Sequence, residues 1–475
     1  MAVACGHGFT LVVTENGDMY SFGLNSSGQL GVSLVTDDFP EPHLISREST
    51  FGGEEILMVA AAMTRGAAVT KQGSLFTWGT GQGLGHTGAV GMPMRLGKEC
   101  FGNSHVIMVS CGDKSTIVLT ASGRVWTCGP TDHVQPRQIH TDKFCLIDPV
   151  RFDNRKIVMI ASGSLHTMAV DEDGILWTWG DNFSGQLGVG YVDADPDLDD
   201  FEDEGYGIRD PVAIPPETFD GNNVVHVAGS SHCTMLVMAD GSLWACGNGI
   251  FESNAPLPLT NENEYAPYRI AGSELFGGQG VRMTSCGPKH TLILGKDNRV
   301  WVCGIGYNNE LGLGMNWQNA GFDHTHTVPT LIPDTAHFTN GNVMTVSAGT
   351  QHSVAVMRDG TVYTWGRGSW HFRELALMNR NTGLGQGALG QNVRTPRQLS
   401  PTLFHGEYIG HWHTWLSTHP DHTVAFAMGM HTRLGVDTPM TGVPDEVMHR
   451  VLTESMRFEP QYGVGLMALL GLHGS

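Results

Sequence analysis

The sequence predicts an all-β protein: a β-propeller of seven or eight blades with a short C-terminal helix. Three observations carry this. One patterned segment recurs eight times, glycine reaches 63 of 475 residues without a collagen period, and large aromatic residues recur at one place before a glycine. The cleanest copy is residues 346–366, "VSAGTQHSVAVMRDGTVYTWG". Others occupy 3–23, 59–79, 109–129, 160–180, 227–247 and 284–304, and an eighth, two residues longer in its turn, spans 409–429. Equivalent positions (Phe9, Arg65, Ser115, His166, Cys233, His290, His352, His413) lie 50 to 67 residues apart, a period that suits one small antiparallel sheet per repeat.

Each part of the repeat has a mechanical reading. Gly17, Gly73, Gly123, Gly174, Gly241 and Gly360 sit where a hairpin needs positive φ, and Asn298 replaces glycine in the sixth copy. Alternating residues on either side read as two short strands. The second of these carries Tyr20, Phe76, Trp126, Trp177, Trp244, Trp301, Tyr363 or Phe426. Two residues later come Phe22, Trp78, Cys128, Trp179, Cys246, Cys303, Trp365 or Met428. Residues i and i+2 share a strand face, so these pairs are expected to glue neighbouring sheets together. An outer strand is expected near Pro42, Pro93, Pro136, Pro211, Pro267, Pro329 and Pro396, because an edge strand tolerates proline. Radial stacking buries the faces of such sheets and leaves only short edges. The first hairpin has no outer strand before it, so the C-terminal part of the chain is expected to close the ring beside it.

The combination G-x-x-H-[ST], an aromatic strand ending in glycine, and N-x-x-G-Q-L-G resembles the regulator-of-chromosome-condensation repeat. The third element stands as "NSSGQLG" (25–31) and "NFSGQLG" (182–188), and more loosely as "NNELGLG" (308–314). The resemblance runs from residue 3 to about 443 and implies a propeller over 1–443, with 444–475 left for a helix and an apolar tail. Family members are typically seven-bladed, whereas eight hairpins are countable here. Some members are guanine-nucleotide exchange factors for a small nuclear GTPase, and others are photoreceptors, ubiquitin-ligase modules or interaction platforms.

Composition narrows the function. The formal charge is −20, which disfavours a grip on nucleic-acid phosphates or an anionic membrane. There is no secretory signal after Met1, no apolar run long enough for a membrane span, and nine cysteines without a CxxC pair. An intracellular protein is expected, in the cytoplasm, in a large assembly or in the nucleus.

No catalytic, metal or cofactor site is expected. The slot of His166, His290, His352 and His413 also takes Phe9, Arg65, Ser115 and Cys233, so it reads as structural. His411, His413, His419 and His422 lack a supporting carboxylate or cysteine for a transition metal. "GQGALG" (385–390) does not lie between a strand and a helix, so a dinucleotide role fails on context. Cys5, Cys111, Cys286, Cys128, Cys246 and Cys303 recur in register and read as small buried apolar residues.

Three departures from the repeat are the expected partner contacts. The first is an acidic insertion, 193–205, with Asp195, Asp197, Asp199, Asp200, Glu202 and Asp203. The second, 368–387, brings Trp370, Phe372 and Arg373. The third is the C-terminus. Residues 444–458 carry helix-start signals and place Val447 and Val451 on one face, and Leu469 and Leu470 lie in the apolar tail. The expected function is a non-enzymatic interaction or structural propeller in a larger assembly. The alternative is a guanine-nucleotide exchange factor for a Ran-like small GTPase.

Overall fold

The computed structural model describes residues 1–32, 38–87, 91–129, 141–191, 207–247, 265–314, 325–333, 342–367, 384, 393–400 and 404. They form seven four-stranded antiparallel sheets, each with its strands in chain order. These are blades 1 to 7, covering residues 2–45, 56–96, 106–146, 157–214, 224–271, 281–331 and 343–398. First strands lie beside one another at all seven seams, which places them nearest the ring axis and the fourth strands outermost. Pro42, Pro211, Pro329 and Pro396 fall inside fourth strands, and Pro93 and Pro267 immediately precede them. Pro136 lies outside the described residues.

Hairpin geometry follows the turn residues. The six turn glycines have φ between 75° and 83°, and Asn298 adopts 62°. Side chains short at Cβ, or able to bond locally, are the ones that tolerate this region.

The paired aromatics of each third strand pack onto the preceding blade. Phe76 and Trp78 join Phe9, Leu11 and Val13 of blade 1 in one core cluster. Tyr363 and Trp365 join Leu292, Leu294 and Val300 of blade 6. Tyr20 and Phe22 join Val354, Val356 and Val362 of blade 7, so the same contact closes the ring.

The closing seam is regular. Ser110 Oγ of blade 3 accepts from Ser162 N of blade 4 at 2.9 Å, and Ser285 Oγ of blade 6 accepts from Ala348 N of blade 7 at 3.0 Å. Ser347 Oγ of blade 7 accepts from Cys5 N of blade 1 at 3.0 Å in the same manner. Blade 1 supplies all four of its own strands, the last being Phe39–Ile45, and shares none with blade 7. The C-terminal side does close the ring, through blade 7, and it does so by face packing.

A second device was not anticipated. Between blades the chain makes a short helical turn ending in a buried phenylalanine followed by two left-handed residues. Phe51, Phe101, Phe152, Phe219 and Phe276 each stand edge-on to the aromatic of the next blade: Phe76, Trp126, Trp177, Trp244 and Trp301, with centroids 5.0–5.8 Å apart. After blade 7 the equivalent residue is Phe404, and its ring meets Tyr20 of blade 1 at 5.1 Å. Blade 1 therefore stands where an eighth blade would follow. The expectation of seven or eight blades resolves to seven; the copy at 409–429 and the helix at 444–458 lie outside the described residues.

Candidate functional site: the loop end of the ring

In an antiparallel blade, the first-to-second and third-to-fourth strand connections emerge at one end, and the hairpin turns and inter-blade connectors at the other. The first is called here the loop end, and its foundation is the repeat position that holds histidine. His166 Nε2 lies 3.0 Å from Thr234 Oγ1, His290 Nε2 2.8 Å from Ser353 Oγ, and His352 Nε2 3.0 Å from Thr10 Oγ1. Each bond runs to the hydroxyl one residue past the slot in the following blade, and the His352–Ser353 copy both gives such a bond and receives one. Thr234 and Ser353 hydroxyls donate onward to the carbonyls of Gln186 and Glu310, both at 2.8 Å. They must then accept from the imidazole, which fixes the proton on Nε2 and leaves Nδ1 bare.

Nδ1 of all three histidines is buried without a hydrogen-bond partner, and the ring edge lies against the glycine three residues earlier. Burial accordingly lowers His166 and His290 to about 3 and His352 to about 4. Neutral, buried rings facing different seams are staples. A Cβ on Gly163 would overlap both the His166 ring and the Ser230 carbonyl. Gly163→Ala is expected to cost about 1–3 kcal/mol, the usual penalty for overpacking, read as a lower urea midpoint with an unchanged slope.

Arg65 fills the same slot in blade 2. Its guanidinium donates to the carbonyls of Gln82, Gly112 and Ser115, the last at 2.7 Å, so the charge is held by carbonyl dipoles across the seam to blade 3.

The N-x-x-G-Q-L-G segments cap these seams. Asn25 Oδ1 accepts from Leu30 N at 3.1 Å, and Gln29 Oε1 accepts from Ser27 N at 2.8 Å. Asn182 and Gln186 repeat both bonds in blade 4. The Gln29 carbonyl faces outward from its own blade and accepts from Trp78 Nε1 of blade 2 at 2.8 Å. In blade 6 the bonding pattern corrects the expected register. Glu310 Oε2 accepts from Asn308 N at 2.6 Å, its carbonyl accepts from Trp365 Nε1, and left-handed Asn309 and Gly312 match Gly28 and Gly31. The copy therefore runs 306–312, with Glu310 in the glutamine position, and burial pushes that carboxyl up to about 7.

On this foundation the loop end carries every long connection of the ring. Hairpin turns are short, as between Val13 and Met19, whereas the third-to-fourth strand connections extend to residues 182–206 in blade 4 and 367–392 in blade 7. Two aromatics stand out at this end. Phe183 is 68% exposed and Tyr307 52%, and the corrected register makes them equivalent positions of blades 4 and 6. Tyr191 and Met63 are exposed at the same end. Phe183 was legible in the sequence as an aromatic inside "NFSGQLG"; Tyr307 was hidden by the register.

The expected partner residues Asp195, Asp197, Asp199, Asp200, Glu202, Asp203, Trp370, Phe372, Arg373, Val447, Val451, Leu469 and Leu470 lie outside the described residues. So does the histidine group at 411–422. Tyr191 and Gly207 on either side of the first segment are described, as are Arg367 before the second and Leu384 within it. Leu384 is buried, and its carbonyl accepts from Thr364 Oγ1 of its own blade at 2.8 Å.

Among the described residues no three His, Cys, Asp or Glu side chains are grouped to hold a metal ion, and no helix is long and apolar enough to cross a membrane. Burial raises the Cys5 and Cys303 thiols to about 12 and Cys233 to about 11, which keeps them protonated.

A closed ring of seven regular blades with its long connections gathered at one end defines a seven-bladed β-propeller that presents a loop face. Sequence profiles of the regulator of chromosome condensation (RCC1) repeat match residues 2–29, 157–186 and 345–369, and, in a second form, 173–237 and 297–356. The chain belongs to the RCC1-repeat family. It is 26% identical over 358 residues to "Protein pim1" of Schizosaccharomyces pombe, covering 70% of this chain and 62% of pim1. It is also 26% identical over 381 residues to the human "RCC1-like G exchanging factor-like protein", covering 77% and 67% of the two chains. The Arabidopsis thaliana "Ultraviolet-B receptor UVR8" is 37% identical over 195 residues, 40% of this chain and 42% of the receptor. The chain thus spans about three fifths of pim1 and two fifths of the receptor. Among solved structures, Saccharomyces cerevisiae Prp20p, described with its binding to Gsp1p and histones, superposes with a TM-score of 0.62 at 19% identity over 81% of this chain and 86% of that one.

Proposed function

We propose that the protein is a non-enzymatic interaction propeller, a component of a larger assembly, that engages its protein partner through the loop end. The observation that carries this is the gathering of all long connections at one end, with Phe183 and Tyr307 exposed at equivalent positions there. Aromatic side chains on a rigid scaffold supply contact area at little entropic cost, and such residues dominate interface energetics. The acidic residues Asp195 to Asp203 and the trio Trp370, Phe372 and Arg373 belong to connections that leave and re-enter at this end, and we assign them to the same interface. Val447, Val451, Leu469 and Leu470 form a separate apolar contact in this proposal.

The test is affinity purification from the native source with identification of what co-purifies. Phe183→Ser combined with Tyr307→Ser is expected to weaken the captured partner more than about tenfold, at least ~1.4 kcal/mol, without moving the melting temperature. A chain ending at Gly442 should lose the partner held by the tail. Full retention by both variants overturns the proposal.

The similarity to the human exchanging-factor-like protein favours a second reading, nucleotide exchange on a Ran-like GTPase. Release of a fluorescent GDP analogue from such a GTPase decides it. Acceleration that grows with the concentration of this protein establishes exchange, and an unchanged release rate at micromolar concentration removes it.

A further inference from the structure

At the turn end, opposite the loop face, the seam between blades 6 and 7 holds two arginines on one oxygen. Arg282 comes from the first strand of blade 6, Arg358 from the hairpin turn of blade 7, and Asn298 from the hairpin turn of blade 6. Arg282 Nη1 donates to Asn298 Oδ1 at 2.7 Å, and Arg358 Nη2 donates to the same oxygen at 3.1 Å. Arg282 Nη2 is also anchored by the Val343 and Met344 carbonyls, at 3.1 and 2.6 Å. Arg358 has no such anchor on its inner edge: its Nε is buried and without a hydrogen-bond partner.

Among the described residues, no carboxylate pairs with either arginine. Elsewhere at this end Arg95, Arg155 and Arg299 each meet a carboxylate. The adjacent acids are engaged: Asp297 binds Arg299 Nε at 2.7 Å, and Asp359 accepts from Thr361 N at 2.9 Å. Burial, reinforced by the charge of Arg358 and opposed by Asp297, lowers Arg282 to about 10. In a chain of net charge −20, two guanidinium groups that share one neutral acceptor are an exception that needs a reason.

We propose that Arg282 and Arg358 form an oxyanion site for a phosphate-type dianion, either free or carried on a phosphorylated side chain. A dianion balances both charges and offers acceptor oxygens to the open Nη hydrogens of Arg358, a planar guanidinium edge that suits phosphate. Side chains at all three positions are half-buried, so the site is open to solvent on one side while partly shielded from screening.

Calorimetric titration of the full chain with inorganic phosphate, at ionic strength held constant with chloride, tests the site. Saturable one-to-one binding is expected, weakened at least about tenfold in Arg358→Gln, whose melting temperature in chloride alone should match or exceed the parent. Arg358→Lys, which keeps charge but loses the planar edge, should fall between the two and carries the test if Arg358→Gln does not fold. A phosphoserine peptide, compared with its unphosphorylated form, separates the sources: tighter binding than inorganic phosphate assigns the site to a protein partner, and equal binding to the free ion. No saturable phosphate binding by the parent, or equal binding by Arg358→Gln, overturns the proposal.

Discussion

Lowering the pH from 7 to 5 is expected to remove about 2 kcal/mol of folding stability for each of His166, His290 and His352. In the folded protein these rings titrate at about 3, 3 and 4, well below the ordinary histidine value of 6.5. The unfolded chain therefore takes up protons that the folded chain refuses. Stability is complete above pH 6.5, declines as pH falls through that value, and stops declining on this account below about 3. The cause is the seam staple itself: Nε2–H is spent on the next blade's hydroxyl, so a second proton would have to enter at a bare, buried Nδ1 facing glycine. Urea midpoints at pH 7, 6 and 5 measure the slope. His290→Gln keeps a side-chain donor for Ser353 but has no proton to gain, and should flatten the slope by the share of that one ring. An undiminished slope in that variant would sink the explanation.

Phe404→Ala is expected to cost about 3–5 kcal/mol, the usual penalty for emptying a buried aromatic site. Phe404 is buried, meets Tyr20 edge-on, and accepts the Tyr20 hydroxyl bond at its carbonyl at 3.3 Å. It shares a core with Leu399, Val354 and Val362 of blade 7 and with Val12 and Phe22 of blade 1. The loss should be localised. Hydrogen exchange is expected to speed up in the strands Phe9–Val13 and Val343–Ala348 while blades 3 to 5 keep their protection. Uniform acceleration around the ring would contradict the role given to Phe404.

Much of this architecture was legible in the sequence because its determinants are local. A hairpin turn demands positive φ at one residue, and the series from Gly17 to Gly360 advertises it residue by residue. The i, i+2 aromatics declare a shared face by strand period alone, and the mixed occupancy of the histidine slot marked it as structural. What that slot does was not legible, since the hydroxyl that completes each staple sits in another repeat. The connector phenylalanines left a trace in the recurring "FGG", "FGN", "FDN", "FDG" and "FHG", but it falls between the hairpins on which the repeat was framed. Blade number is a property of closure, which depends on where Phe404 docks, and eight similar segments do not reveal which two compete for one place. The register at 306–312 turned on Asn309 standing in for glycine, a substitution that only backbone conformation exposes. The pairing of Arg282 with Arg358 joins a strand to a turn one blade away, with no spacing to announce it.

Blade 1 keeps all four of its strands to itself, and this has a mechanical consequence. Six of the seven seams are crossed by a connector that runs on into the next blade; at the seventh, the described residues are held by packing, by hydrogen bonds and by Phe404 docked on Tyr20. Under a load that separates blade 7 from blade 1, the ring can part at that joint without unravelling any sheet, as a snap ring springs open at its gap. A ring whose last sheet borrowed a strand from the chain's beginning would first have to tear a β-ladder. Here the opened form is an arc of intact blades, able to spring shut again on release.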